Sequence, residues 1–198
     1  MRTPLQDRST SSADRMLEAT LDLLETGGLP AVTVAAVAVR AGTSNGSLYH
    51  RFGDRGGLLR AAQDRALTAI EGETAAAFAR ADDEPDDTRA LRLLAHAALE
   101  IFARHRGPMR AFLVGVQGDP AIEARNETSS HLLAGTVTGW LRRRFGATRP
   151  DAEAAWRILF ALGASQALFE DAQVSPGTLD GAAFADAVAR AVRAVVVR

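Results

Sequence analysis

The chain has 198 residues, 47% of them hydrophobic, and a formal net charge of −1, enough apolar material for one compact unit or for a small head and a larger body. It contains no cysteine, which excludes disulfides, thiolate metal sites and cysteine nucleophiles. Residues 1–12 are polar, and no apolar run approaches the roughly 20 residues that span a bilayer, so no membrane partner is expected and the chain is read as cytoplasmic.

Helical periodicity runs along the sequence, cut by glycine and proline, and no stretch alternates like a strand; an all-α fold of about nine helices is expected. The first helix is expected over 13–26, with Ala13, Leu17, Leu21 and Leu24 on one face, Ser11 and Asp14 as a capping-box-like start, and Gly27-Gly28 at its end. Thr33 can cap a second helix in which Val34, Val37, Ala38 and Ala41 recur at helical spacing, and Gly42 stops it. Thr43 or Ser44 then caps a short third helix. Leu48 and one edge of Tyr49 face inward there, and Ser44, Asn45, Ser47 and His50 face outward beside Gly46. Small polar side chains with a glycine on a short helix after a tight turn suit close approach to base edges in a DNA major groove.

A fourth helix is expected over 55–80, a charged loop over 82–87, a fifth helix over 88–106, a short sixth over 109–118 and a long seventh over 121–145. The eighth is expected over 151–173 and the ninth from Leu179 to the end, where Val195 to Val197 are read as helix despite their strand propensity. In the eighth, Trp156, Phe160, Gly163 and Ala167 share one face and Leu159, Leu162, Gln166 and Phe169 another; the ninth carries Phe184, Val188, Val192 and Val195. Two apolar stripes on one helix serve either a core and a partner, or a core on all sides.

Charge resolves by position. Five arginines (40, 51, 55, 60, 65) stand against Asp54 and Asp64 between 40 and 65, while eight acids stand against three arginines between 71 and 100. All basic residues are arginine, a coding-composition bias, so placement counts and number does not. The acids over 82–87 lack apolar framing and read as a solvated loop, with no metal. No HExxH, phosphate loop or G-x-S-x-G occurs, so neither an enzyme nor a cofactor is expected.

Over 33–59 the chain resembles the TetR family of bacterial transcriptional regulators. The resemblance rests on Thr33 before a small apolar helix, Ala41-Gly42-Thr43-Ser44, Gly46, Leu48-Tyr49, Phe52, Arg55 and Leu58. It implies a helix-turn-helix head in residues 1–54 and a helical ligand-binding and dimerisation domain in residues 55–198. Thr33, Thr43, Ser47, Tyr49 and Arg55 would then contact phosphates of a double-stranded DNA operator, and Ser44, Asn45, Gly46 and His50 would lie near base edges. Hydroxyls and arginine suit phosphate oxygens, and Asn45 offers a base both a donor and an acceptor. Thr33 and Ser44 can equally be plain caps, Tyr49 a core residue and His50 a solvated side chain.

The resemblance further implies a homodimer through the eighth and ninth helices, with Phe160, Gly163, Ala167, Phe184, Val188 and Val192 at the interface. It implies a small-molecule pocket lined by His96, Phe102, Met109, Phe112, Gln117, His131, Trp140 and Trp156. Such stripes also build cores, and Gln117 and His131 are equally able to bond nearby backbone. The expected function is a repressor released from a palindromic operator by an effector of unknown identity. The alternatives are an activator, or an architectural helical protein without a ligand response. The chain departs from the family at Gly56-Gly57. Each glycine costs a helix roughly 1 kcal/mol against alanine, so a soft start to the fourth helix, stiffened by alanine at both positions, is expected.

Overall fold

The structure, a computed structural model, describes residues 12–197, and within them it is helical with no strand. The elements are α1 (Ser12–Ala31), α2 (Val34–Arg40), α3 (Asn45–Phe52), α4 (Arg55–Asp83), α5 (Asp87–Arg104), α6 (Arg106–Arg110), a π turn (Ala111–Gly115), α7 (Pro120–Phe145), α8 (Arg149–Leu168), α9 (Asp171–Val174) and α10 (Gly181–Val196). The all-α expectation holds, with more segments than the nine expected. The expected sixth helix is α6 joined to the π turn, in which Val116 N–H donates to the Ala111 carbonyl at 2.9 Å. The expected eighth helix breaks at Phe169 and Glu170, and α9 begins anew beyond them. The Ser11 part of the expected first cap lies outside the described residues.

α1 bends at Gly28, whose φ of 64° is open to glycine. Its innermost residues are Met16, Thr20 and Leu24, so the buried face is rotated from the expected one, with Leu17 and Leu21 at its flank. Thr20 is tolerated there because its hydroxyl donates to the Met16 carbonyl at 2.7 Å. The valines at the end of α10 are helical through Val196.

Two cores organise the chain. One joins α1 to α4 through Met16, Leu24, Val37, Leu48 and Leu58, and also takes in Ala111, Phe112 and Ile122 from the π turn and α7. The other packs α4, α5, α7, α8 and α10 around Trp140, which sits edge-on to Phe78 and Phe145. α4 serves both, burying Leu58, Leu59 and Ala62 near its start and Ala77 and Ala81 near its end.

Four residues expected at an interface between copies face this chain's own interior. Gly163 lies under the Phe102 ring, which a β-carbon would strike. Ala167, Val188 and Val192 are also buried within the single chain. Phe184 is half-buried against the same core, while Phe160 is 43% exposed. Helical spacing marks apolar stripes and leaves open which one meets α5.

Candidate functional site

The head presents α3 outward on a short, well-capped frame. Thr33 Oγ1 accepts from Ala36 N at 3.1 Å to start α2, and Ser44 Oγ accepts from Ser47 N at 3.1 Å to start α3. Between them Gly42 takes φ 61°, turning the chain. Leu48 is fully buried and anchors α3, so Asn45, Gly46, Ser47, Tyr49 and His50 stand exposed. Ser44 and Ser47 share a hydroxyl contact of 3.0 Å. Ser44, Gly46, Ser47, His50 and Arg51 line one shallow polar concavity. Tyr49 is 52% exposed, which sets aside core packing as its role. Thr43 is half-buried, and its N–H donates to the Ala38 carbonyl at 2.9 Å.

Arg55 has a second use that spacing did not reveal. Its Nε donates to the Val32 carbonyl at 2.6 Å and Nη2 to the Leu29 carbonyl at 3.0 Å, tying α4 to the α1–α2 junction. The other arginines of the basic stretch are similarly occupied. Arg40 pairs with Asp22, Arg60 with Asp119, and Arg65 with Asp14 and Glu18. Among the described residues Arg51 alone of the five has no such partner, and it lies on α3 beside His50. Sequence reasoning counted its charge and overlooked its position one residue past His50.

Gly56 and Gly57 open a helix that is capped. Asp54 caps α4, its Oδ1 accepting from Gly57 N at 2.7 Å. A β-carbon on Gly57 would collide with the Phe52 carbonyl, whereas one on Gly56 would meet only the ends of the Asp54 and Arg60 side chains. Gly57 is therefore needed for the close turn from α3 into α4, and alanine at both positions would not stiffen it.

The body holds a cavity of about 400 Å³, partly open to solvent, between α4, α5, α7, α8 and α10. Phe102, Met109, Trp140 and Trp156 line it; His96, Phe112, Gln117 and His131 do not. Phe112 is buried in the head core. Gln117 is exposed beyond the π turn, His96 is half-buried on α5, and His131 is exposed on α7, 3.9 Å from Glu127.

A buried polar relay joins cavity to head. Gln63, 1% exposed, donates to the Ile122 carbonyl at 2.9 Å and to Asn126 Oδ1 at 2.8 Å, and Asn126 Nδ2 donates to the Phe112 carbonyl at 2.8 Å. Asn126 also lines the cavity. Beside it Arg125 binds Glu71 at 2.7 Å and Asp64 at 2.8 Å, joining α7 to α4. The Arg125 hydrogen bond holds the Glu71 carboxyl below its ordinary range, against its partial burial. The Glu71 carboxylate in turn raises Arg125. Asp119 is likewise lowered, first by Arg60. A buried amide pair has no hydrophobic signature, and its two halves lie 63 positions apart, so no local spacing announces it.

Residues 16–62 match the family model described as bacterial regulatory proteins, tetR family. The HTH-type transcriptional regulator BetI of Burkholderia mallei (strain NCTC 10229) is 39% identical over 71 residues, 36% of this chain and 36% of that protein. BetI of Stenotrophomonas maltophilia (strain R551-3) is 36% identical over 74 residues, 37% of this chain and 38% of that protein. The match thus spans little more than a third of the length of these curated relatives. Beyond it the likeness is one of fold. A transcriptional regulator from Rhodococcus sp. Rha1 superposes with a TM-score of 0.74 at 24% identity, covering 93% of this chain and 96% of that one. The TetR family transcriptional regulator PfmR from Thermus thermophilus does so with 0.69 at 21% identity, covering 92% and 96%.

Proposed function

We propose that this chain, whose residues 16–62 match the tetR family model, is a member of that family: a homodimeric, DNA-binding repressor released from a palindromic operator by a small molecule. The observation that carries the reading is α3: one buried anchor, Leu48, and an outward row of Ser44, Asn45, Gly46, Ser47, Tyr49, His50 and Arg51. In the major groove Asn45 would meet a base edge, and the hydroxyls of Thr33, Ser47 and Tyr49 would meet phosphates.

Residues 1–54 serve as the DNA-binding part and 55–198 as the ligand-binding and dimerisation part. One head reads too few base pairs for a tight site, so a second copy supplies the other half-site. The outward face of α8 around Ile158, which is 42% exposed and away from the cavity wall, is the surface offered to it. α4 lends Leu58 and Ala62 to the head core and Leu67 and Ile70 to the cavity wall. A bound molecule that displaces α4 would change the spacing of the two α3 helices from the roughly 34–36 Å of one DNA turn. The transition requires different affinities of that molecule for the two states.

Selection of bound DNA from a random pool tests the reading. A palindromic motif is expected; recovery of no motif at moderate salt would overturn it.

A further inference from the structure

We infer that the cavity takes a neutral, ring-containing, predominantly hydrocarbon molecule, held without an ion pair. The inference rests on the ligand-responsive reading above and names the chemistry of its effector. Among the residues lining the cavity, Glu127 alone is charged, and its side chain is 71% exposed, turned toward His131. No arginine and no histidine lines the wall. An anionic ligand would lose water there with no positive charge opposite to pair it, and the one carboxylate, Glu127, stands at the exposed rim rather than inside the wall. A charge of either sign placed deep in the cavity is therefore strongly unfavourable.

The wall also carries few polar groups. Both ends of the Asn126 amide are engaged, with Gln63 and with the Phe112 carbonyl. Trp140 Nε1 donates to Asp82 at 2.6 Å, so that indole offers the cavity its apolar ring. The Ser129 hydroxyl makes no hydrogen bond of good geometry and is enclosed, and it lies close enough to Glu71 to favour that carboxylate. The Thr74, Ser129 and Ser130 hydroxyls and the Trp156 indole N–H remain, enough for one or two hydroxyl or carbonyl groups on a ligand.

What is left is carbon. Phe78, Phe102, Trp140, Trp156 and Phe160 present five aromatic rings among aliphatic side chains, a wall on which flat rings find stacked and edge contacts. An apolar cavity of about 150 Å³ holds one benzene, so about 400 Å³ suits a molecule of roughly two to three rings.

Two dyes sharing one ring system test the inference on the full chain without DNA. N-phenylnaphthylamine is neutral; anilinonaphthalenesulfonate adds a sulfonate. The neutral dye is expected to bind saturably, one per chain with enhanced fluorescence, and the sulfonate at least about tenfold more weakly. Equal or tighter binding of the sulfonate, or no saturable binding of the neutral dye, would overturn the inference. Ala98→Phe, which adds a ring at the wall, is expected to abolish neutral-dye binding; unchanged binding in a folded variant would also overturn it. Should that variant not fold, the dye pair on the unaltered chain decides alone. Because no DNA is present, a failed dye result with a palindromic motif in hand removes the ligand class and leaves the regulator reading standing. A successful dye result without a motif does the reverse.

Discussion

The Phe52 carbonyl occupies the place where a β-carbon on Gly57 would have to stand. The contact is with backbone, which yields far less readily than a side-chain end, so the two adjacent glycines differ in kind. Gly57→Ala is expected to destabilise the head by about 1–3 kcal/mol, as overpacking does. Gly56→Ala is expected to be neutral or to stabilise by up to about 1 kcal/mol, the ordinary helix preference. Thermal melts of the two variants, with amide exchange across the α3–α4 turn, check the contrast.

Arg51 and Arg55 should separate binding from folding. Arg51→Ala removes a cation that has no ion-pair partner among the described residues and is expected to leave the melting temperature unchanged while lowering the salt slope of DNA binding by about 1. Arg55→Ala removes the side-chain donor to the Val32 carbonyl and one of the two donors to the Leu29 carbonyl, which keeps the Val32 N–H, and is expected to cost about 1–3 kcal/mol of stability. A salt slope unmoved by Arg51→Ala would remove it from the interface.

At α3, Tyr49→Phe is expected to weaken DNA binding across all sequences, since only a phosphate contact is lost. Asn45→Ala is expected to relax preference at one position of each half-site by about 1–3 kcal/mol. Binding profiles on the selected motif and its single-base variants distinguish the two patterns.

Acid should loosen the α4–α7 joint. Glu71 and Asp119 are both held below their ordinary values of 4.5 and 3.8, chiefly by Arg125 and Arg60 respectively. A depressed carboxyl contributes stability that is complete above the ordinary value and is lost as pH falls through the lower folded value. Melting temperature is therefore expected to be insensitive to these groups above the ordinary carboxylate range and to fall below it. Arg125→Met should flatten the Glu71 part of that acid limb.

Ile158→Glu places a charge on the exposed face of α8 without touching the cavity wall. It is expected to convert a dimer into monomers by light scattering while preserving the fold by circular dichroism. A variant that remains dimeric would move the proposed interface elsewhere.

Much of this architecture was legible because helices announce themselves locally. Thr33, Gly42 and Ser44 marked the ends of α2 and α3 correctly, since capping and left-handed backbone are decided within a few residues. Leu48 as an anchor followed from the same spacing. The misplaced features are those decided at a distance. Whether Val188 meets α5 or a second chain, whether Phe112 joins the head or the cavity, and whether Arg60 is free or bound to Asp119 depend on elements far apart in sequence. Gly57 is the intermediate case: its propensity was legible, and the carbonyl that demands it was not.

Phe112 sits in the head core and Leu113 in the cavity wall, so the two interiors are separated by one peptide bond in a π turn. On the proposed function, the unliganded grip on DNA and the room left for an effector are not independently adjustable. A substitution near Leu113 that enlarges the cavity also shifts the backbone carrying Phe112, and it would register as altered basal repression before any molecule is added. Effector range and background expression would therefore change together along this segment, whereas wall positions on α5, such as Ala98, would tune what binds and spare the resting state.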